Sequence, residues 1–152
     1  MIPQFVYCVS PRSVEDVGAL VHAAVGAGYR HLDLTAFPGA APMAAQGLGG
    51  AEVFLTAPVN GAEPASQLAK TGAELGVGLL DLCVPDVGGL TDPAAMAEAW
   101  LRVREAVGAG GARTAGVRNA SAEQIRQLAA LGPVPAVNQV VLNPWTPQPE
   151  LR

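Results

Sequence analysis

Two aspartates hold the clearest opportunity for chemistry in this chain. Asp33 falls near the end of an expected strand over 30–34, and Asp86 follows the apolar stretch 79–84. Each therefore lies at the C-terminal end of an expected strand. Carboxylates placed in this way can divide acid and base roles, or share a divalent cation through hard oxygen ligands. Isomerisation, dehydration or cyclisation of a small metabolite would suit such a pair. The plainer alternatives stay open: Asp33 caps the turn that follows it, and paired acids are what chance supplies at a formal net charge of -4. His31 reads as a packed strand residue, and His22 as a structural or solvated helix residue. Cys8 and Cys83 fall on expected strands as small buried hydrophobes in a reducing cytosol, without a disulfide. Two cysteines and two histidines without close spacing give no metal site.

The elements that must position these residues alternate between short apolar runs and helical patterns, as in a parallel α/β protein. Strands are expected at 5–9, 30–34, 53–57, 79–84, 113–117 and 136–140. Ser13 and Asp16 have the spacing of a capping box ahead of Val17, Leu20, Val21, Ala24 and Val25, and Gly28 is a natural stop. Pro64 suits the first turn of a helix carrying Leu68, Ala69 and Leu75. Asp92-Pro93 opens the strongest helical pattern, through Met96, Trp100, Leu101, Val103 and Val107. Ser121 with Gln124 forms a second capping-box pair. The Pro- and Gly-rich stretch 38–50 predicts a short or irregular helix in place of an orderly one.

Composition narrows the partners. Half of the residues are hydrophobic and 14% are charged, which fits a globular chain and excludes a disordered one. Nine scattered basic residues give no electrostatic footprint for nucleic acid. The nearest thing to a basic cluster, Arg102 with Arg104, reads as a solvated helix face. No run approaches the ~18 apolar residues of a membrane span. The N-terminal residues show no targeting segment, so the expected location is the cytoplasm.

Five segments occur in order: Gly28-Tyr29-Arg30-His31-Leu32-Asp33, Val53-Phe54-Leu55-Thr56, Leu80-Asp81-Leu82, Gly116-Val117-Arg118-Asn119-Ala120-Ser121 and Pro135-Ala136-Val137-Asn138-Gln139-Val140. In wording and spacing they resemble the aldo-keto reductases, NADPH-dependent carbonyl reductases built on a TIM barrel. The resemblance runs over 2–152. It implies an α/β fold, an incomplete TIM-type (β/α)8 barrel with about six strands and five helices. A single domain over 1–152 would cover barrel strands one to six, with 143–152 as the turn entering a sixth helix.

In that family a tyrosine donates the proton to the carbonyl, a lysine and an aspartate tune it, and a histidine orients the substrate. Here Asp33 matches the aspartate and would share the barrel mouth with Asp86. The tyrosine position falls at Pro38 or Phe37, the lysine position at Pro58 and the histidine position at Asp86. None of these replacements restores the general acid. Asn119 and Gln139 match the residues that hold the nicotinamide carboxamide, although Arg118 stands where a serine usually precedes that asparagine. They are equally open to satisfying backbone groups in the mouth. Asp81 matches a structural aspartate.

The resemblance therefore implies oxidoreductase ancestry without the classical reductase activity, in a binding or assembly subunit or an inactive remnant. Two alternatives stand beside it: a non-redox enzyme using Asp33 and Asp86, and an NADP-dependent oxidoreductase completed by a partner chain. No cofactor is expected for the isolated chain, and NADPH if the family function is retained. Six strands of an eight-stranded design leave two open edges, so a homodimer or a partner protein covering them is expected. A small-molecule ligand is also compatible with this reading.

Overall fold

A computed structural model of the protein describes residues 2–10, 13–60 and 62–151. Strands and helices alternate along the chain: β1 (Tyr7–Cys8), α1 (Val17–Gly26), β2 (His31–Asp33), α2 (Ala41–Leu48), β3 (Phe54–Val59), α3 (Pro64–Leu75) and β4 (Leu80–Pro85). They continue with α4 (Pro93–Gly108), β5 (Ala112–Ala115), β6 (Val117–Arg118), α5 (Ala122–Ala129) and β7 (Asn138–Gln139). The first five strands form one sheet in chain order, and β6 and β7 form a two-stranded parallel sheet. The neighbouring strands within each are parallel.

The two sheets are joined into one curved surface. Gly116 donates its N–H to the Cys83 carbonyl at 2.9 Å, and Asp86 bridges to Arg118 in parallel fashion. The strand expected at 113–117 is thus divided at Gly116, which puts seven strand segments where six were expected. A Cβ on Gly116 would lie 2.4 Å from Val137 Cγ2 and 2.8 Å from the Val137 carbonyl. Only a glycine lets β7 approach this closely.

The period of two in the strands separates the faces. Leu32, Leu34, Leu55, Ala57, Val59, Cys83 and Val117 are buried in a core shared with Val17 and Val21 of α1, Leu68 and Leu75 of α3, and Met96, Trp100 and Val103 of α4. The intervening positions, including His31, Asp33 and Thr56, line the inner face. Four polar or charged side chains are buried among the described residues: these three and Thr35. The inner face therefore carries the polarity that the core excludes.

Several helix ends follow from their sequence. Asp92 caps α4 by accepting from the Ala94 N–H at 3.0 Å, with Pro93 in the first turn. Ser121 and Gln124 complete a reciprocal capping box on α5. Gly76 ends α3 at φ 70°. Ser13 and Asp16 do meet, but as a hydroxyl donating to a carboxylate at 3.0 Å. Asp16 makes no side-chain cap, because a 3-10 turn at Val14–Asp16 precedes α1. Stretch 38–50 forms a 3-10 turn, Pro38–Ala40, and the eight-residue α2.

Cys8 departs from the buried reading: it is exposed, whereas Cys83 is buried, and both thiols are free. The reason is topological, since β1 has a neighbour on one side only. Burial pushes the Cys83 thiol up to about 12. Arg102 pairs with Glu98 on the exposed face of α4, and Arg104 donates to the Leu131 carbonyl at 3.0 Å. No helix among the described residues is long and apolar enough to cross a membrane.

Candidate functional site

The C-terminal ends of the parallel strands form a mouth, and the residues singled out from the sequence gather there as two hydrogen-bonded pairs. Asp33 closes β2 and is 2% exposed. Its Oδ1 accepts the Thr35 backbone N–H at 2.7 Å, and its Oδ2 accepts from Gln139 Nε2. The Thr35 hydroxyl also reaches Gln139 Oε1 at 3.4 Å. Strand β2 is thereby tied to β7 across the inner face. Two N–H donors on the buried carboxylate offset its loss of water.

Asp86 lies just past β4 and is exposed. Its Oδ1 accepts the Gly88 N–H at 3.1 Å, and its Oδ2 accepts from Asn119 Nδ2 at 2.8 Å. Asn119 holds this position with a left-handed φ of 56°, a conformation asparagine tolerates better than most residues. Both aspartates accept an N–H two residues ahead, the geometry of an Asx turn. The turn-capping role weighed for Asp33 is thus visible in both. Asp33 and Asp86 have no hydrogen-bond partner in common, and the described residues contain no group of three or more acids, histidines or cysteines arranged to hold a metal.

Arg118 was read from the sequence only as a departure from a serine. Its Nη1 donates to the Thr35 carbonyl at 3.3 Å, so it crosses the mouth from β6 to the exit of β2. Thr35 was not singled out at all. The signal lay in the Asp33-x-Thr35 spacing, which an Asx turn explains. Cys8 pairs with Asp33 in the β1–β2 register. Partial burial and the Asp33 charge push its thiol up, so it is held as the less nucleophilic thiol.

The other matched positions are apolar or structural. Phe37 packs against the core and Pro38 opens the 3-10 turn. Pro58 lies within β3, paired with Val84. Phe54 and Thr56 both bond toward β2, but β2 ends opposite Thr56. The N–H that Pro58 lacks would have pointed beyond that end, so the sheet tolerates the proline. Asp81 is structural: its Oδ2 accepts the Leu55 N–H at 2.9 Å and its Oδ1 holds Arg113 Nε at 3.0 Å. His31 packs as read, against the Phe54 ring and with Nε2 2.7 Å from the Thr56 hydroxyl. Burial lowers its pKa, which favours the neutral ring. His22 is exposed on α1.

No family model matches the chain. A protein of Mycobacterium sp. (strain KMS) named aldo-keto reductase is 35% identical over 167 residues, an alignment covering 99% of this chain. Over nearly its whole length the chain is similar to the aldo-keto reductases. A second Mycobacterium aldo-keto reductase, from strain JLS, matches at the same 35% identity. The chain spans 58% of the length of each of these relatives. Among solved structures, an aldo/keto reductase from Brucella melitensis superposes with a TM-score of 0.84 at 26% identity, covering 99% of this chain and 63% of that one. An aldo-keto reductase of Bombyx mori in complex with NADP gives 0.79 at 27% identity, covering 94% of this chain and 55% of that one. The described strands and helices are thus an incomplete TIM-type barrel of the aldo-keto reductase kind.

Proposed function

We propose that this aldo-keto reductase-like chain does not run the family's tyrosine-based proton relay and serves as a binding or assembly subunit. One observation carries the reading. Beside Asp33, the positions matched to the proton donor and its lysine hold Phe37 or Pro38 and Pro58, none of which carries an O–H or a side-chain N–H. A general acid must present a transferable proton within hydrogen-bond reach. The carboxylate itself is engaged by Thr35 and Gln139. Asn119 and Gln139 each give one amide N–H to Asp86 and Asp33, respectively, so a nicotinamide carboxamide would be held by the second N–H and the carbonyl oxygen of each amide.

The test is to incubate the purified chain with NADPH and a panel of aliphatic and aromatic aldehydes, following cofactor absorbance. Turnover is expected to stay at the protein-free background, in the wild type and in Asp33→Asn alike. NADPH oxidation that Asp33→Asn abolishes would overturn the reading. Redox-neutral turnover lost in both Asp33→Asn and Asp86→Asn would favour the non-redox enzyme instead.

Assembly is supported by exposed apolar side chains. Phe5 is 75% exposed near β1, while Val141, Leu142 and Trp145 are exposed after β7, Trp145 at 89%. Exposed apolar side chains of this size are candidates for an interaction surface, and a symmetric dimer is the commonest way to cover one. Sedimentation equilibrium should therefore give about twice the chain mass, and Trp145→Asp should return it to one chain. A wild-type monomer at every concentration would count against an assembly role.

A further inference from the structure

At the opposite end of the sheet from Asp33, a cavity of about 710 Å³ opens among the N-terminal ends of β2 to β5. Its origin lies in the Pro- and Gly-rich stretch. The eight residues of α2 extend about 12 Å, whereas the six of β3 rise about 20 Å. Gly49 and Gly50, both at positive φ, stop α2 early, and the open chain 51–53 covers the remaining distance. A hollow is left where a longer helix would have packed.

The lining has two characters. Leu48, Leu55 and Leu75 are buried and form an apolar floor. Arg30, Glu52 and Arg113 are exposed and stand at the rim. Arg113 is held by Asp81 through Nε alone, so its two terminal nitrogens have no protein acceptor among the described residues. Arg30 gives Nη1 to the Val25 and Tyr29 carbonyls at 3.0 and 2.8 Å, neutral acceptors that leave its charge uncompensated. Asp81 is already engaged by Arg113 and the Leu55 N–H. Glu52 is the opposing charge at the rim.

We propose that this hollow is a binding site for a small amphipathic carboxylate, its apolar body on the leucine floor and its head group at Arg113. The volume lies within the range of small-molecule sites, roughly 300–1,000 Å³. A guanidinium fixed through Nε presents its terminal pair of donors in the fork that matches a carboxylate. The site is independent of the mouth, so its existence does not depend on the reading of Asp33.

Octanoate is the probe, titrated into the purified chain by calorimetry, with octanamide as the uncharged control. Octanoate is expected to bind saturably at one site per chain, and octanamide about tenfold more weakly. Arg113→Gln should weaken octanoate about threefold, and Glu52→Gln should tighten it by a similar factor. Opposite signs at one rim distinguish a charge-reading site from simple apolar adhesion. Ala45→Phe fills the hollow from α2 and leaves both arginines in place. It should abolish binding while the circular dichroism spectrum is unchanged. Equal affinity for octanamide and octanoate, or undiminished binding in Ala45→Phe, would overturn the proposal.

Discussion

Trp100→Ala should lower the stability of this protein by about 3–5 kcal/mol, the cost of emptying a large aromatic site. Trp100 lies on α4 at 1% exposure, on the same buried stripe as Met96, Val103 and Ala106. Whole-protein stabilities of about 5–15 kcal/mol make that a large fraction of the total. At this chain length the thermal midpoint should fall by roughly 10 °C or more. The indole Nε1 has no hydrogen-bond partner among the described residues. Trp100→Phe therefore removes an unpaired buried donor along with some volume, and it should cost well under half as much as alanine. Urea unfolding of the two variants checks both statements; equal losses would mean that the ring's bulk is not what matters.

Gly116→Ala should disturb the mouth as well as the fold. The added methyl would meet the Val137 side chain and carbonyl at distances that real Cβ atoms do not show. Forced overpacking of this kind costs about 1–3 kcal/mol. The damage falls on the bonds that hold β7, namely Val117 N–H to the Val137 carbonyl and Ala136 N–H to the Ala115 carbonyl, both at 2.9 Å. Displacing β7 carries Gln139 away from Asp33. Amide resonances of Thr35 and Gln139 should therefore shift together in the variant, while those of α3, on the far side of the sheet, stay in place. Shifts confined to the neighbourhood of residue 116 would show that β7 accommodates the methyl without moving.

Much of the fold was legible because its signals are local. Asp92-Pro93 marks the start of α4, Ser121 with Gln124 marks the start of α5, and Gly76 marks the end of α3. Each is decided by residues within one turn of the boundary. The strands were legible in order and placement but not in extent. Tyr7–Cys8 is shorter than the apolar run 5–9, since its ladder is set by the three-residue β2 beside it. Exposure of Cys8 was hidden for the same reason: it depends on what lies beside β1. Ser13 and Asp16 had the right spacing for a cap, but the 3-10 turn converted it into a hydroxyl–carboxylate contact.

The candidate site divides along the same line. The two Asx turns were readable from Asp33-x-Thr35 and Asp86-x-Gly88. The partners of the second carboxylate oxygens were not, because Gln139 and Asn119 come from strand ends far along the chain. Their identities as mouth residues came from the family resemblance, and their pairing with the aspartates came from the structure. Arg118 shows the limit most clearly. Its sequence context named the residue it replaces, but not the Thr35 carbonyl it reaches.

The tie between Asp33 and Gln139 has a temporal consequence. It joins residues 106 apart in the chain, whereas the His31–Thr56 contact between β2 and β3 joins residues 25 apart. Two doublings of loop length add about 1.2 kcal/mol of closure entropy. The strands of a βα series can pair with their predecessors one at a time, but this bond waits for nearly the whole series to be in place. It is therefore expected to form late in folding. The mouth is then expected to acquire its shape only once β7 has docked.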